Sequence, residues 1–311
     1  MELEQTPKQK EASQSSGVLL FAYGKQAYIE AAYNLIYTLR KYGYSGSITI
    51  YTDNVELCNR FINEVATGVK TKALSEKYFK VDGKIEPCLL KLSMYDLLPY
   101  ENTLYLDVDT IALNDISGLI ESLMGLKHDF YTLMAGTYQP GSGKVWNEMV
   151  WANPNDVYEQ FGISERLPLY AINSSLIFIK KGAIAKDIFK TAKKLFLKKP
   201  LPINKLKFKW GGGQPDELYF NAALSLLEYN PEIDLTQLQR EPMFFSVKAG
   251  YTYDQIIKQY YLFTYYGGQG HTHNFYVDWA DRLLKKLKES EGGRHITFIR
   301  RIIMHKHANK R

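Results

Sequence analysis

LYLDVDTIAL, residues 104–113, places two carboxylates, Asp107 and Asp109, two positions apart where an apolar run ends. Its flanks read as a strand before the acidic turn and a short second strand after it, and side chains two apart on a strand share a face. Both carboxylates can then reach one hard divalent cation, which takes oxygen ligands and, held by few protein groups, keeps positions open for substrate phosphates. An Asp-rich turn capping itself through its own side chains is the plainer alternative. The apolar flanks favour the metal, whose charge would offset that building on a departing diphosphate. The expectation is a metal-dependent enzyme with a phosphorylated donor.

Upstream, GVLLFAY (17–23) reads as a buried strand, YIEAAYNLIYTLRKYG (28–43) as a helix stopped by Gly43, and SITIYTD (47–53) as a second strand. This is a βαβ unit, with both strand ends on one edge of a parallel sheet. Asp53 closes the second strand, where it could accept hydrogen bonds from a base or ribose or simply end the strand. The first turn, Ala22-Tyr23-Gly24-Lys25, lacks the G-x-G-x-x-G cradle, which argues against a dinucleotide-binding domain. EPCLLKLSMYDLLP (86–99) predicts a helix ended at Pro99. Lys91 on its apolar face needs an anionic partner, and a diphosphate would serve.

Downstream, HDFYTLMAG (128–136) is a strand candidate, and 138–170 suits a substrate-side insertion. YAINSSLIFIKKG (170–182) is a strand or hairpin whose Asn173 amide needs a partner, such as a sugar hydroxyl. A helix follows over AIAKDIFKTAKKLFLKK. After Gly211-Gly212-Gly213, Pro215 opens another helix with Asp216 and Glu217 in its first turn, where carboxylates are stabilised with or without a substrate. His271 and His273 follow a YYGGQG turn. One of them is a candidate metal ligand, since two carboxylates leave most of a six-coordinate shell unfilled.

With 311 residues and 45% hydrophobic content the chain can bury a large core. No apolar run approaches a membrane span and the first residues hold no apolar signal core, so a soluble, cytoplasmic protein is expected. Cys58 and Cys88 sit in no ligand cluster and read as buried free thiols. The net charge of +6 is concentrated: residues 193–209 contain seven Lys and no acid, and 292–311 contain six Lys or Arg and no acid. These segments could meet a membrane surface, nucleic acid or an anionic glycan, or be solvated faces.

In KLSMYDLLPYENTLYLDVDTIALNDISGLI, INSSLIFIKKG and PDELYFNAAL the chain resembles glycosyltransferase family 8, the glycogenin and lipopolysaccharide galactosyl- and glucosyltransferase group, over about residues 17–275. The resemblance implies a GT-A fold, an α/β Rossmann-like mixed sheet with flanking helices. The expected organisation is a disordered tail (1–16), one glycosyltransferase domain (17–280) and a basic C-terminal extension (281–311). It also implies Mn²⁺ or Mg²⁺, a nucleoside-diphosphate sugar that is UDP-linked in most of the family, and retention of anomeric configuration. Carried over by position, Tyr23, Asp53, Lys91, Asp107, Val108, Asp109, Asn173, Asp216 and Glu217 would hold the donor. Asp107 and Asp109, with His271 or His273, would hold the metal, and Asp216, Asn173 and Lys91 would act in catalysis. Three positions depart from the family pattern: Ser175 stands at a Gly place, Glu217 at a Gln place and Tyr265 at the place of a metal-binding His, with His271 where a Lys is usual.

Same-face attack, with metal and Lys91 stabilising the departing diphosphate, and a covalent intermediate on Asp216 are both open mechanisms. The acceptor implied is a glycan or lipid-linked oligosaccharide, reached with the basic segments at a membrane surface. A hydroxymethylated base in DNA is the alternative those segments leave open. A non-catalytic nucleic-acid-binding protein would account for the charge but not for Asp107 and Asp109.

Overall fold

Residues 15–140, 154–198, 215–231, 238–244, 252–265, 280 and 282–286 are described by a computed structural model. In chain order they form β1 (Ser16–Phe21), α1 (Gln26–Lys41), β2 (Ser47–Thr52), α2 (Val55–Ile62), β3 (Val69–Ala73), β4 (Lys80–Val81) and β5 (Lys84–Ile85). Next come α3 (Pro87–Leu92), β6 (Asn102–Leu106), β7 (Thr110–Ala112), α4 (Ser117–Gly125), β8 (Phe130–Tyr138), α5 (Pro154–Phe161) and β9 (Leu169–Lys180). The last elements are α6 (Ala183–Lys198), α7 (Asp216–Leu226), β10 (Glu241–Phe244), α8 (Tyr253–Gln259) and β11 (Tyr260–Thr264). The described residues fall into two compact units. One lies within Met1–Leu74, Leu104–Gly125 and Leu235–Arg311, the other within Ser75–Thr103 and Leu126–Asp234.

In the first unit the predicted βαβ order is present. β1 pairs in parallel with β2, Leu19 opposite Thr49, and β2 in parallel with β3, Thr49 opposite Lys70. Val18, Leu19, Leu20, Ile48 and Ile50 are all fully buried, as strands covered on both faces must be. Helix α1 buries Ile29, Leu35, Ile36 and Leu39, and ends where Gly43 adopts φ +102°, a conformation that costs a side-chain-bearing residue more. Asn54 caps α2, its Oδ1 accepting the Leu57 N–H at 3.0 Å. A smaller sheet, ordered β10-β11-β7, sets β11 parallel to β10 and antiparallel to β7, with Thr264 opposite Thr110. Its core contains Ile111, Leu113, Phe244, Phe263, Tyr265, Leu283 and Leu284. On the edge of β7, the Ala112 N–H donates to Thr38 Oγ1 of α1 at 3.0 Å, satisfying a backbone donor in the interior.

In the second unit β8 and β9 pair antiparallel, and α7 ties to the start of β9 through Asn221, whose Oδ1 accepts the Tyr170 N–H at 2.7 Å. Helices α6 and α7 meet through aromatic edges, Phe189 on Phe220 at 5.1 Å and Phe196 on Tyr219 at 5.3 Å between ring centroids.

A mixed α/β arrangement with flanking helices is therefore present. The helix expected over 86–99 is broken. α3 stops at Leu92, the Ser93 N–H reaches back to the carbonyls of Leu89 and Leu90, and Met94–Leu97 continues as a 3₁₀ turn. The stretch 138–170 contains α5, which begins at a proline in the favoured first helical turn. Cys58 and Cys88 are buried free thiols. Among the described residues no helix is long and apolar enough to cross a membrane. His271, His273, the glycine triplet, the C-terminal basic segment and most of 193–209 lie outside the described residues.

Candidate active site

In the first unit the sequence-predicted residues gather at strand ends. Asp53, just past β2, accepts the Gly24 N–H on Oδ2 at 2.9 Å, so it fastens the turn after β1. Gly24 supplies the φ of +79° that this turn requires, and Tyr23 precedes it. Asp107 and Asp109 lie in the bend between β6 and β7 rather than within a strand, so backbone pinning, not strand alternation, sets their directions. The Asp109 carbonyl accepts from the Tyr265 N–H at 3.1 Å and from Thr264 Oγ1 at 3.2 Å, which anchors the bend to the end of β11. The Tyr105 hydroxyl donates to Asp107 Oδ1, which helps to orient that carboxylate. Val108 is only 6% exposed, so its side chain belongs to the core and a donor contact could use its backbone alone.

Two carboxylates on one anchored bend form an oxygen donor set suited to Mg²⁺ or Mn²⁺, and the residues fit such an ion. Among the described residues no third His, Cys, Asp or Glu joins them. Tyr265 is fully enclosed and its hydroxyl has no hydrogen-bond partner among the described residues. Burial first, and the Asp109 charge second, push its phenol well above the usual range, so it stays a neutral hydroxyl near Asp109.

The second unit holds a different constellation. Lys91, on α3, is 17% exposed at its side chain and lies 3.8 Å from Asp216 Oδ2, itself 13% exposed. Lys91 Nζ donates to Ser174 Oγ at 3.0 Å, and Ser174 Oγ donates to Glu217 Oε1 at 3.1 Å. Burial first, then the neighbouring Asp216 charge, raise the Glu217 carboxyl to about 7, with Lys91 pulling the other way. Its own burial first, and the same two carboxylates after it, push the Cys88 thiol well up, so it is no nucleophile.

Ser174 reaches Lys91 because β9 bulges. Thr132 faces Ile177 while the next residue, Leu133, faces Asn173, leaving residues 174–176 unpaired against β8. Two contacts hold the bulge. The Thr132 hydroxyl is shared between the carbonyls of Asn173 and Leu176, at 2.9 and 3.0 Å, and Asn173 Oδ1 accepts the Ser175 N–H at 2.9 Å. Asn173 therefore shapes the strand that presents Ser174. Sequence reading selected Asn173, Lys91, Asp216 and Glu217 but missed Ser174 and Thr132. A polar N-S-S run inside an otherwise apolar strand was the available signal.

No family model matches the chain, and no curated protein matches it. Among solved structures, WbbM, a bifunctional glycosyltransferase, superposes with a TM-score of 0.51 at 10% identity, over 88% of this chain and 52% of WbbM. The fold is that of the GT-A glycosyltransferases. The chain spans about half the length of WbbM. An active-site mutant of LgtC matches at a TM-score of 0.49 and 11% identity, over 88% of this chain and 96% of that one. Mouse xyloside xylosyltransferase 1 matches at 0.46 and 10% identity, over 80% and 97%. These last two scores add no weight to the assignment, which rests on the GT-A architecture shared with WbbM.

Proposed function

We propose that the protein is a metal-dependent, retaining glycosyltransferase that moves a hexose or pentose from a nucleoside-diphosphate sugar, UDP-linked, to a hydroxyl of a glycan or lipid-linked oligosaccharide. The observation that carries this reading is the Asp107–Asp109 bend, fastened through Asp109 to β11 and through Asp107 to Tyr105, on a GT-A fold. A bound Mg²⁺ or Mn²⁺ would supply positive charge against the diphosphate as it departs. Asp107 and Asp109 would hold it, Tyr105 would orient Asp107, and Tyr265 would exclude water behind Asp109. Asp53 would meet the base or ribose, and Tyr23 and the Val108 backbone would line the nucleotide.

Lys91 would meet donor phosphate, and Asp216 and Asn173 the donor sugar. Same-face attack is preferred over a covalent carboxylate intermediate. Asp216 is engaged with Lys91, whose charge lowers its nucleophilicity, and no other carboxylate of the cluster is set apart for attack. The full chain incubated with a panel of UDP-sugars and Mn²⁺ or Mg²⁺ tests the reading by UDP release. Release confined to one sugar, abolished by chelation and accelerated by an oligosaccharide acceptor, supports it. No release from any sugar by folded protein sinks it.

A further inference from the structure

We propose that the outward face of α6 is a docking surface for an anionic lipid bilayer, held through Lys186, Lys190, Lys194 and Lys198 together with the exposed side chain of Leu197. This deepens the lipid-linked side of the functional reading above, but the surface itself rests on α6 and not on the catalytic assignment.

The orientation of α6 is set by its inner side. Ala185, Ile188, Phe189 and Ala192 are buried, and Phe189 meets Phe220 of α7 edge-on, so the opposite side must face outward. Spacing decides what that side presents. Lys186, Lys190, Lys194 and Lys198 stand four residues apart, which places them in one row about 18 Å long. All four are exposed, and no ammonium among them enters a hydrogen bond or ion pair with another described residue. Two neighbouring lysines behave differently. Lys193, at the flank of the row, reaches Asp96 at 3.5 Å, and Lys181, just before the helix, reaches Glu101 at 3.1 Å. The fold supplies acids to the lysines beside the row and none to the row itself.

Such a row works against the helix that bears it. Each like-charged pair four residues apart is unfavourable, and Lys186 stands toward the positive end of the helix dipole. A face that meets only water normally has acids interleaved with its lysines. α6 has one acid, Asp187, against five lysines. Residues 199–214, next in the sequence, add four Lys and no acid, so the adjoining chain raises the local charge instead of offsetting it. The partner complementary to this face is a surface that carries many phosphates.

Apolar exposure selects among such surfaces. Leu197 is 56% exposed and by helical spacing falls in the same sector as the lysine row. Ile184, in the first turn, is 49% exposed, so α6 bears two of the five large apolar side chains exposed among the described residues. The phosphate backbone of a nucleic acid gives such side chains nothing to bury against. A bilayer meets both needs in one contact, phosphates on the ammonium groups and apolar tips below the headgroups. The attraction grows with each lysine near an anionic leaflet and weakens with salt.

Cosedimentation of the full chain with phosphatidylcholine vesicles, pure or with about one phosphatidylglycerol in four lipids, tests the proposal. Wild type should bind the mixed vesicles, leave them at high salt and ignore the pure ones. The triple variant Lys186→Gln, Lys190→Gln, Lys194→Gln should bind about 100-fold more weakly, the scale for three lysines at an anionic surface. Its melting temperature should be unchanged or higher, because like-charged pairs are relieved. Arg300→Gln with Arg301→Gln, in the C-terminal basic segment, should keep most of the binding. Leu197→Ser should weaken vesicle binding and leave binding of a duplex oligonucleotide as it was. Wild type that ignores the mixed vesicles, a triple variant that binds them as wild type does, or a loss confined to the Arg300 and Arg301 variant overturns the proposal. A duplex oligonucleotide held through the same three lysines, with vesicle binding indifferent to Leu197→Ser, overturns the lipid in favour of nucleic acid. UDP release in solution should be equal in wild type and the triple variant; a fall there would assign the row to the reaction and overturn the docking surface. Vesicle binding by a protein that releases no UDP keeps the surface and sinks the catalytic reading instead.

Discussion

Asp107 and Asp109 in the first unit and Asp216 and Glu217 in the second are both carboxylate pairs, yet they are held in opposite ways. The first pair sits on a bend whose backbone is anchored by Thr264 and Tyr265. The second pair opens a helix, where the dipole favours negative charge; its Asp216 lies 3.8 Å from Lys91 and its Glu217 accepts from the Ser174 hydroxyl. The difference teaches that two carboxylate pairs of equal charge can be fixed by different means, one through its backbone and the other through side-chain contacts to distant residues.

The strongest way to break the comparison is Asp109→Asn. Removing one charge from the proposed metal-holding pair should cut turnover about 1,000-fold, the scale of losing a preorganised electrostatic contact to the transition state, with little change in melting temperature. Isothermal titration with Mn²⁺ and UDP-release kinetics check it; retained turnover would make the bend a mere turn. Lys91→Ala should behave differently, because it strips the internal counter-charge. We expect about 2 kcal/mol of lost stability, reduced from the fully buried case by the partial exposure of the pair, together with a raised KM for the donor. Denaturant unfolding and donor kinetics measure both effects, and unchanged stability would mean the two carboxyls are neutralised by other means.

Tyr105→Phe removes the hydroxyl that orients Asp107 and should weaken Mn²⁺ about tenfold, the lower end for an outer group that aims a metal ligand. Thr132→Val keeps the shape but loses the hydroxyl spanning the β9 bulge, at about 1 kcal/mol in thermal unfolding. A raised donor KM in that variant would show that Ser174 has swung from Lys91. The smallest effect sharpens the first unit. Tyr265→Phe deletes a buried hydroxyl that has no partner among the described residues and should leave stability unchanged or raise it by up to about 1 kcal/mol. A marked loss of stability or of Mn²⁺ affinity would reveal that the phenol serves the metal after all.

The legible parts of the sequence were those governed by local periodicity. Leu19 and Ile48 mark strands, Leu35 and Leu39 mark α1, and the apolar flanks of Asp107 mark the turn that bears it. Ser174 was not legible, because strand alternation puts it opposite the face of Asn173 and only the bulge brings it to Lys91. The break after Leu92 was likewise hidden, since the apolar pattern continues through it while the backbone tightens to a 3₁₀ turn. Asp107 and Asp109 could be paired from sequence, but their anchoring could not, because Thr264 and Tyr265 lie more than 150 residues away in the chain.

By itself the sequence determined the βαβ opening, the acidic bend and the carboxylates at the start of α7, because hydrophobic spacing and helix-start chemistry act over a few residues. Only the tertiary structure decided that Lys91 faces Asp216 and reaches Glu217 through Ser174, because charge balance in a protein interior depends on which distant groups share low-dielectric space, and linear spacing does not encode that.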